Sequence, residues 1–230
     1  MSVVSIQEGA SRMAQAVGRF LLGTSQTTGF GLMLLGRAFW WLRAAWRRHD
    51  DILRQMHFCG VQSLLVTLIV AVFTGMILGL QAGIELSRFQ QQAMIGRLVA
   101  ATMCREMGPF MTGLILAACV GSAMAAELGT MKVSEEIDAL EVMSVNPYMY
   151  LVMPRVLALT VMCPILTCLS DLIGIAGGSV VGRYRLGVAY NVYWEEARYI
   201  LDLKDVYTGL FKAMVFGTVI AAVGCTQGML

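Results

Sequence analysis

Long uncharged stretches divide the 230-residue chain. Four of them are near or above the length of about 20 apolar residues that a helix needs to cross the hydrocarbon core of a bilayer. They run over Gly60–Ile84, Met107–Ala126, Val156–Gly182 and Ala213–Leu230, and Asp171 is the one charge inside them. Strands of a membrane barrel would be about ten residues long and would alternate in polarity, which these stretches do not. The pattern therefore predicts an all-α, polytopic helical membrane protein with four transmembrane helices.

Residues 1–55 show a different pattern. The stretch Gly29–Trp46 is apolar but interrupted by arginines and rich in large aromatic rings, namely Arg37, Phe39, Trp40, Trp41, Arg43 and Trp46. Such residues favour the boundary between membrane and water, where rings lie at headgroup depth and guanidinium groups reach water. We expect an interfacial amphipathic helix within residues 1–55, with a fifth span as the alternative. Residues 56–230 would form the transmembrane core of a single domain that covers residues 1–230.

Composition agrees with a membrane protein and argues against several other classes. Hydrophobic residues make up 57% of the chain and charged residues 14%, a balance that would leave a soluble protein with large exposed apolar patches. The net charge is +2, and no basic run is interleaved with aromatic residues as in nucleic-acid binders. The two histidines have no metal-ligand spacing, so no metal site is expected. The chain lacks GxxxxGK[ST] and GxSxG motifs, so we expect neither bound ATP nor an enzyme.

The distribution of basic residues predicts how the chain is oriented in the membrane. Four arginines closely precede the first span, at positions 43, 47, 48 and 54. Since cytoplasmic flanks carry an excess of Lys and Arg, they indicate a cytoplasmic N-terminus. The loop Arg183–Lys212 also carries five basic residues, and this orientation places it on the outer side.

Small residues recur at every fourth position of the second span. The stripe consists of Gly113, Ala117, Gly121 and Ala125. Small residues at this spacing let two helix backbones approach closely in lipid. The stripe predicts either packing inside one chain or the seam of a homodimer, and the sequence leaves both open.

A few ionisable residues lie close to the predicted hydrocarbon region. Arg105 and Glu106 begin the second span, Lys212 opens the fourth, and Asp171 is in the middle of the third. Charges at such depth are costly, and they usually pair or line a polar cavity. We consider these four residues candidates for a polar path, with snorkelling to the headgroups as the alternative for Arg105, Glu106 and Lys212.

A polar segment over residues 127–146 separates the second and third spans. Within it Val133, Ile137, Leu140 and Met143 share helical spacing, while acidic residues occupy the other faces. Ser134 is a suitable N-cap residue. The segment predicts a short amphipathic helix in a cytoplasmic loop, which is either a solvated surface helix or a helix that docks into a groove of a partner.

Three stretches of sequence resemble one family. GMILGLQAG at 75–83, REMGP at 105–109 and above all GSAMAAELGTMKVSEEIDALEVMSVNP at 121–147 are similar to motifs of the MlaE-type permease family. The resemblance covers roughly residues 50–230. Members of that family usually continue past the fourth span to a fifth helix, whereas this sequence ends at Leu230.

The resemblance implies a function. MlaE-type permeases are homodimeric subunits of ABC transporters that move phospholipids between the inner and outer membranes of Gram-negative bacteria. A separate ATPase binds ATP on the cytoplasmic face, and an MCE-domain substrate-binding protein lies on the other side. By this resemblance Arg105, Glu106 and Lys212 lie near a lipid cavity. The coupling segment that meets the ATPase would contain Glu127, Lys132, Glu135, Glu136, Ile137, Leu140, Glu141 and Met143.

Two other classes remain possible from the residues. A proton-coupled secondary transporter or channel would use Glu106 and Asp171 as its proton path, although no internal repeat of the kind common in such transporters is visible. A membrane scaffold would carry no bound lipid.

The expected protein is a multi-pass component of the bacterial inner membrane, with no cofactor of its own.

Overall fold

A computed structural model describes residues 49–144 and 146–229, together with separate helical positions between Gly18 and Gly36. In chain order its helices are α1 His49–Arg88, α2 Ile95–Thr102, α3 Gly108–Leu116, α4 Ser122–Val133, α5 Glu136–Val142, α6 Met153–Leu186, α7 Tyr190–Ile200 and α8 Leu203–Met229. Most of the predicted interfacial helix, including all its arginines and tryptophans, lies outside the described residues.

The predicted spans are confirmed within the described residues. Four helical stretches there are long and apolar enough to cross a membrane, and they run over His49–Arg88, Gln92–Val133, Tyr148–Leu186 and Leu203–Met229. Each contains one of the uncharged runs, apart from the undescribed last residue of the fourth. The helices extend beyond those runs because charged residues at helix ends reach water without breaking the backbone pattern.

The second span is a helix with two π-helical turns. Wider turns at Met103–Met107 and Ala117–Gly121 join α2, α3 and α4. At the first of them the N–H of Gly108 donates to the carbonyl of Met103, five residues back. Pro109 follows, and a proline has no N–H to donate to the carbonyl four residues before it. The sequence Gly108-Pro109 therefore places a break in regular hydrogen bonding directly beside Arg105 and Glu106.

Helices α1 and α6 cross in very close contact. A Cβ added at Gly75 would collide with the backbone of Gly174, and a Cβ at Gly79 would lie 3.2 Å from Gly178. Glycines thus allow backbone-to-backbone packing where larger residues would hold the helices apart. Helix α8 also packs against α6 and against α4.

The link between α4 and α5 corrects one prediction. Ser134 does not cap the amphipathic helix, because its hydroxyl donates backwards to the carbonyl of Thr130, at 2.9 Å. The chain reverses at Glu135, which has a left-handed backbone with φ of 58°. Helix α5 then begins at Glu136. A serine hydroxyl competes for nearby carbonyls as readily as for N–H groups, so here it completes the end of α4.

Candidate functional site

The first candidate site is built on the carbonyl beside the proline. Lys212 of α8 donates from Nζ to the backbone oxygen of Arg105 at 3.0 Å. This is the oxygen that Pro109 cannot satisfy. The same Nζ lies 2.7 Å from Oε1 of Glu106, so one ammonium group binds a backbone carbonyl and a carboxylate. The proline therefore leaves one acceptor for Lys212, and Glu106 within the π-helical turn supplies the other.

A second ion pair joins the same two elements. Nη2 of Arg105 lies 2.7 Å from Oδ2 of Asp205 in the first turn of α8. Asp205 and Lys212 are seven residues apart, so they lie on the same face of α8 two turns apart. Gly209 lies between them, and a Cβ there would collide with the carbonyl of Cys104. The absence of a side chain at Gly209 brings α8 close enough for both pairs to form.

The charged cluster borders an apolar cleft. The cleft has a volume of about 520 Å³ and is lined by Glu106, Met107, Pro109, Phe110, Lys212 and Phe216. Phe110 and Phe216 are 51% and 40% exposed, which leaves apolar surface next to the pair of Glu106 and Lys212. Such a cleft can bind the apolar part of a ligand against its side chains and a polar group of the ligand at the paired cation and anion.

Asp171 is not brought into this cleft. It is buried in α6, and its carboxylate packs against Gly108. Its Oδ1 has no hydrogen-bond partner among the described residues. Of the four path candidates, the structure thus places Glu106 and Lys212 at the cleft, pairs Arg105 beside it with Asp205, and buries Asp171 separately.

The stripe of small residues packs mostly inside the chain. Gly113 faces Phe216, a Cβ at Gly121 would lie 3.2 Å from Ile220, and Ala125 contacts Gly228. Ala117 is exposed instead. Three of the four stripe positions therefore serve the contact with α8, which is the first of the two interpretations that the sequence left open.

A neighbouring face of the same span is exposed in the part of the chain that the structure describes. Leu114 is 56% exposed, and the small residues Ala118, Ser122 and Ala126 are exposed below it. These four positions follow one another at i+4 along α3, the π-helical turn after it and α4. The sequence pattern did not separate this face from the stripe beside it.

The predicted coupling residues divide into buried and exposed groups. Ile137 is buried and Leu140 is partly buried in the core of the bundle. Glu135, Glu136, Glu141 and Met143 are exposed. Val133 and Val142, at 87% and 86% exposure, add apolar surface to the same segment. Lys132 donates to the carbonyl of Met229 at 2.6 Å, which ties the segment to the end of α8.

Glu127 has a partner that the sequence reasoning missed. Its Oε2 lies 2.8 Å from Nη2 of Arg155, a residue that is buried near the start of α6. The pair borders a smaller cleft of about 250 Å³ that is also lined by Asp51 and Arg54 of α1. The start of α1, the end of α4 and the start of α6 therefore lie at the same end of the bundle.

Asp205 and Arg155 were overlooked as functional candidates because the residues that they pair with are distant in sequence. Arg105 and Asp205 are 100 residues apart. The seven-residue spacing of Asp205 and Lys212 on one predicted helix was an available signal. For Arg155 the signal was its position directly before the uncharged run, next to Pro154, where a charge at hydrocarbon depth needs a partner.

Comparison with known proteins identifies relatives over most of the chain. The family model described as Permease MlaE matches residues 52–230. A probable ABC transporter permease protein of Rickettsia typhi is 42% identical over 177 residues, which are 77% of this chain and 68% of the relative. The intermembrane phospholipid transport system permease protein MlaE of Haemophilus influenzae is 38% identical over 184 residues, 79% of this chain and 70% of the relative.

A plant protein is also similar. The chloroplastic protein TRIGALACTOSYLDIACYLGLYCEROL 1 of Arabidopsis thaliana is 34% identical over 184 residues, which cover 80% of this chain and 52% of the plant protein. The bacterial relatives named above are permeases by name. All three motifs singled out in the sequence, at 75–83, 105–109 and 121–147, lie wholly inside the region that the family model matches. The proton-coupled alternative finds no support in these names.

Proposed function

Because the chain belongs to the MlaE permease family, we propose that it is the membrane-spanning subunit of an ABC transporter that moves phospholipids between two membranes. ATP hydrolysis would take place in a separate ATPase chain. The name of the Haemophilus influenzae relative states intermembrane phospholipid transport for that protein. The observation that carries the proposal to this chain is the apolar cleft with the Lys212–Glu106 pair at its edge.

The chemistry of the cleft suits a phospholipid. Each CH₂ of an acyl chain costs about 0.8 kcal/mol to expose to water, so a lipid that leaves the bilayer needs an apolar lining. Phe110, Phe216 and Met107 supply apolar surface, and Lys212 supplies an ammonium group for a phosphate. Glu106 holds that ammonium group in place until an anion competes for it. Arg105, paired with Asp205 close by, is the second cation of the site.

The ATPase would bind at the opposite end of the bundle. Helix α5 presents acidic residues around exposed Val142, a combination suited to a partner groove with basic edges and an apolar floor. The arginines before α1 favour a cytoplasmic N-terminus. Since the start of α1 lies at the same end as α4 and α6, α5 would then face the cytoplasm, as docking of an ATPase requires.

Further subunits complete the proposed assembly. The exposed face of Leu114, Ala118, Ser122 and Ala126 has the small residues that let helices associate in lipid, and it supports a homodimer. Helix α7 lies at the end away from α5, where a substrate-binding protein of the MCE type would receive or deliver the lipid. Closure of the ATPase would then alternate the exposure of the cleft by rigid-body movement of the two copies.

The test is reconstitution. The tagged chain is co-expressed with its ATPase, purified, and placed in vesicles that contain a fluorescent phospholipid. We expect co-purified phospholipid, lipid movement with ATP but not with a non-hydrolysable analogue, and no effect of a protonophore. Movement that needs a proton gradient and ignores ATP would contradict the proposal and favour a proton path. A purified complex without lipid or ATPase would leave the scaffold interpretation in its place.

A further inference from the structure

Arg155 has an unusual environment for a charged residue. It is the third residue of α6, and its side chain is only 3% exposed. Its guanidinium group lies near the buried thiols of Cys59 in α1 and Cys225 in α8. The group is thus enclosed where α1, α4, α6 and α8 meet.

The hydrogen bonding of this guanidinium group is incomplete. Nη2 reaches Oε2 of Glu127 at 2.8 Å. Nε and Nη1 have no partner among the residues that the structure describes. Removing one member of a buried ion pair leaves an uncompensated charge in a medium of low dielectric constant. Arg155 therefore depends strongly on the position of Glu127.

Glu127 in turn belongs to the segment that leads to α5. It lies in the middle of α4, which ends at Val133, and α5 begins three residues later. Its side chain is 48% exposed, so the pair joins a half-exposed residue to an enclosed one. Any movement of α4 that separates Glu127 from Arg155 would strand the buried cation, whereas movement of α4 and α6 together would not.

We propose that Arg155 is a positioning residue that, through Glu127, makes the segment leading to α5 and the start of α6 move as one body when the ATPase closes. This inference rests on the proposed function. It adds the route by which force applied to α5 reaches α6, a helix that is not continuous with α5. A rigid link of this kind is needed because α4 and α6 are joined in the chain only through α5 and a loop.

The test separates a role in force transmission from a role in stability. Replacing both members of a buried ion pair by apolar residues of similar size often preserves or raises stability, while removing one member does not. We therefore compare Glu127→Gln with the double variant Arg155→Met/Glu127→Leu. Each is reconstituted with the ATPase, and lipid moved per ATP hydrolysed is measured beside the melting temperature.

The expected results differ between the variants. Glu127→Gln lowers both the melting temperature and the lipid moved per ATP. The double variant melts close to the unmodified protein, yet moves at least fivefold less lipid per ATP hydrolysed. The control is Glu196→Gln, which breaks the partly buried pair of Arg97 and Glu196 between α2 and α7, at the other end of the bundle. We expect Glu196→Gln to lower the melting temperature and to leave the amount of lipid moved per ATP hydrolysed unchanged.

Failure has two distinguishable forms. If the unmodified complex moves lipid and the double variant has the same ratio of lipid to ATP, the pair is only structural and the inference about Arg155 is wrong. The inference is equally wrong if Glu196→Gln lowers the ratio as much as the double variant does. If the unmodified complex moves no lipid with ATP, the proposed function itself is wrong, and the inference fails with it.

Discussion

Pro109 and Lys212 are related through a single oxygen atom. The proline withholds the N–H that the carbonyl of Arg105 would accept in a regular helix, and the ammonium group of Lys212 donates to that carbonyl at 3.0 Å. A residue with no polar side chain thus positions the cation at the edge of the cleft. The relationship joins a break in one span to a charge in another.

Replacing this proline should change function more than stability. Pro109→Ala supplies an N–H that competes with Lys212 for the carbonyl of Arg105, so the ammonium group is held less firmly at the edge of the cleft. We expect lipid transport to fall several-fold while the melting temperature stays equal or rises, since helix-interior prolines are unfavourable. Transport assays and thermal melts in detergent measure both. Pro164→Ala, in the interior of α6, is the matched control and should leave transport unchanged.

Removing the cation should weaken lipid binding without unfolding the protein. The Lys212 side chain is 39% exposed and that of Glu106 is 65% exposed, so their pair contributes roughly 0–1 kcal/mol to stability. We expect Lys212→Ala and Arg105→Ala to lower co-purified phospholipid and transport about tenfold, with little change in melting temperature. Arg88→Met, which removes a cation from an exposed pair on α1, is the control. Unchanged lipid recovery in both cleft variants would refute the headgroup assignment.

Exposed and buried residues of α5 should give different defects. Glu135→Lys with Glu136→Lys reverses charge on the exposed surface, so we expect loss of the ATPase from a complex of normal stability. Ile137→Ala leaves a cavity in the core, and we expect a cost of about 2–4 kcal/mol with the ATPase still bound. Pull-down and thermal melting distinguish the two. Retention of the ATPase after charge reversal would mean that it docks elsewhere.

The contact of α1 with α6 predicts that one glycine is far less replaceable than another. Gly75→Ala forces the two backbones apart, and we expect a loss of about 1–3 kcal/mol. Gly129→Ala is the same change where no atom lies within 4 Å of the added Cβ, and it should be neutral or stabilising by up to about 1 kcal/mol. Equal melting temperatures for the two variants would contradict the close contact.

Replacing Asp171 distinguishes a structural role of this residue from a role in lipid transport. A charged carboxylate in the middle of a span costs about 2.5–3.5 kcal/mol, and an amide of the same shape avoids that cost. We expect Asp171→Asn to be at least as stable as the unmodified protein and to transport lipid normally, because the residue lies outside the cleft. A stable variant that no longer transports lipid would place Asp171 in the transport path after all.

The spans were predictable because the thickness of a bilayer dictates their length and the uncharged runs display it directly. The small-residue stripe was predictable as a packing surface, but its partner was not, since Gly121 carries no information about Ile220. Ser134 was assigned to the wrong helix because a hydroxyl accepts and donates, and the sequence does not say which neighbour it meets. The pairs of Arg105 with Asp205 and of Glu127 with Arg155 depend on how separate spans pack together. Local sequence patterns do not contain that information.

The glycine contact of α1 with α6 has a mechanical consequence. Two backbones in direct contact behave as a single stiff beam, because no side chains lie between them to slide or change rotamer. Helix α8 also approaches the second span closely, since a Cβ at Gly209 would collide with the carbonyl of Cys104 and one at Gly228 would lie 2.8 Å from the carbonyl of Ala125. Deformation during a working cycle should therefore concentrate where helices meet through side chains, while the glycine contacts, above all that of α1 with α6, supply a rigid frame.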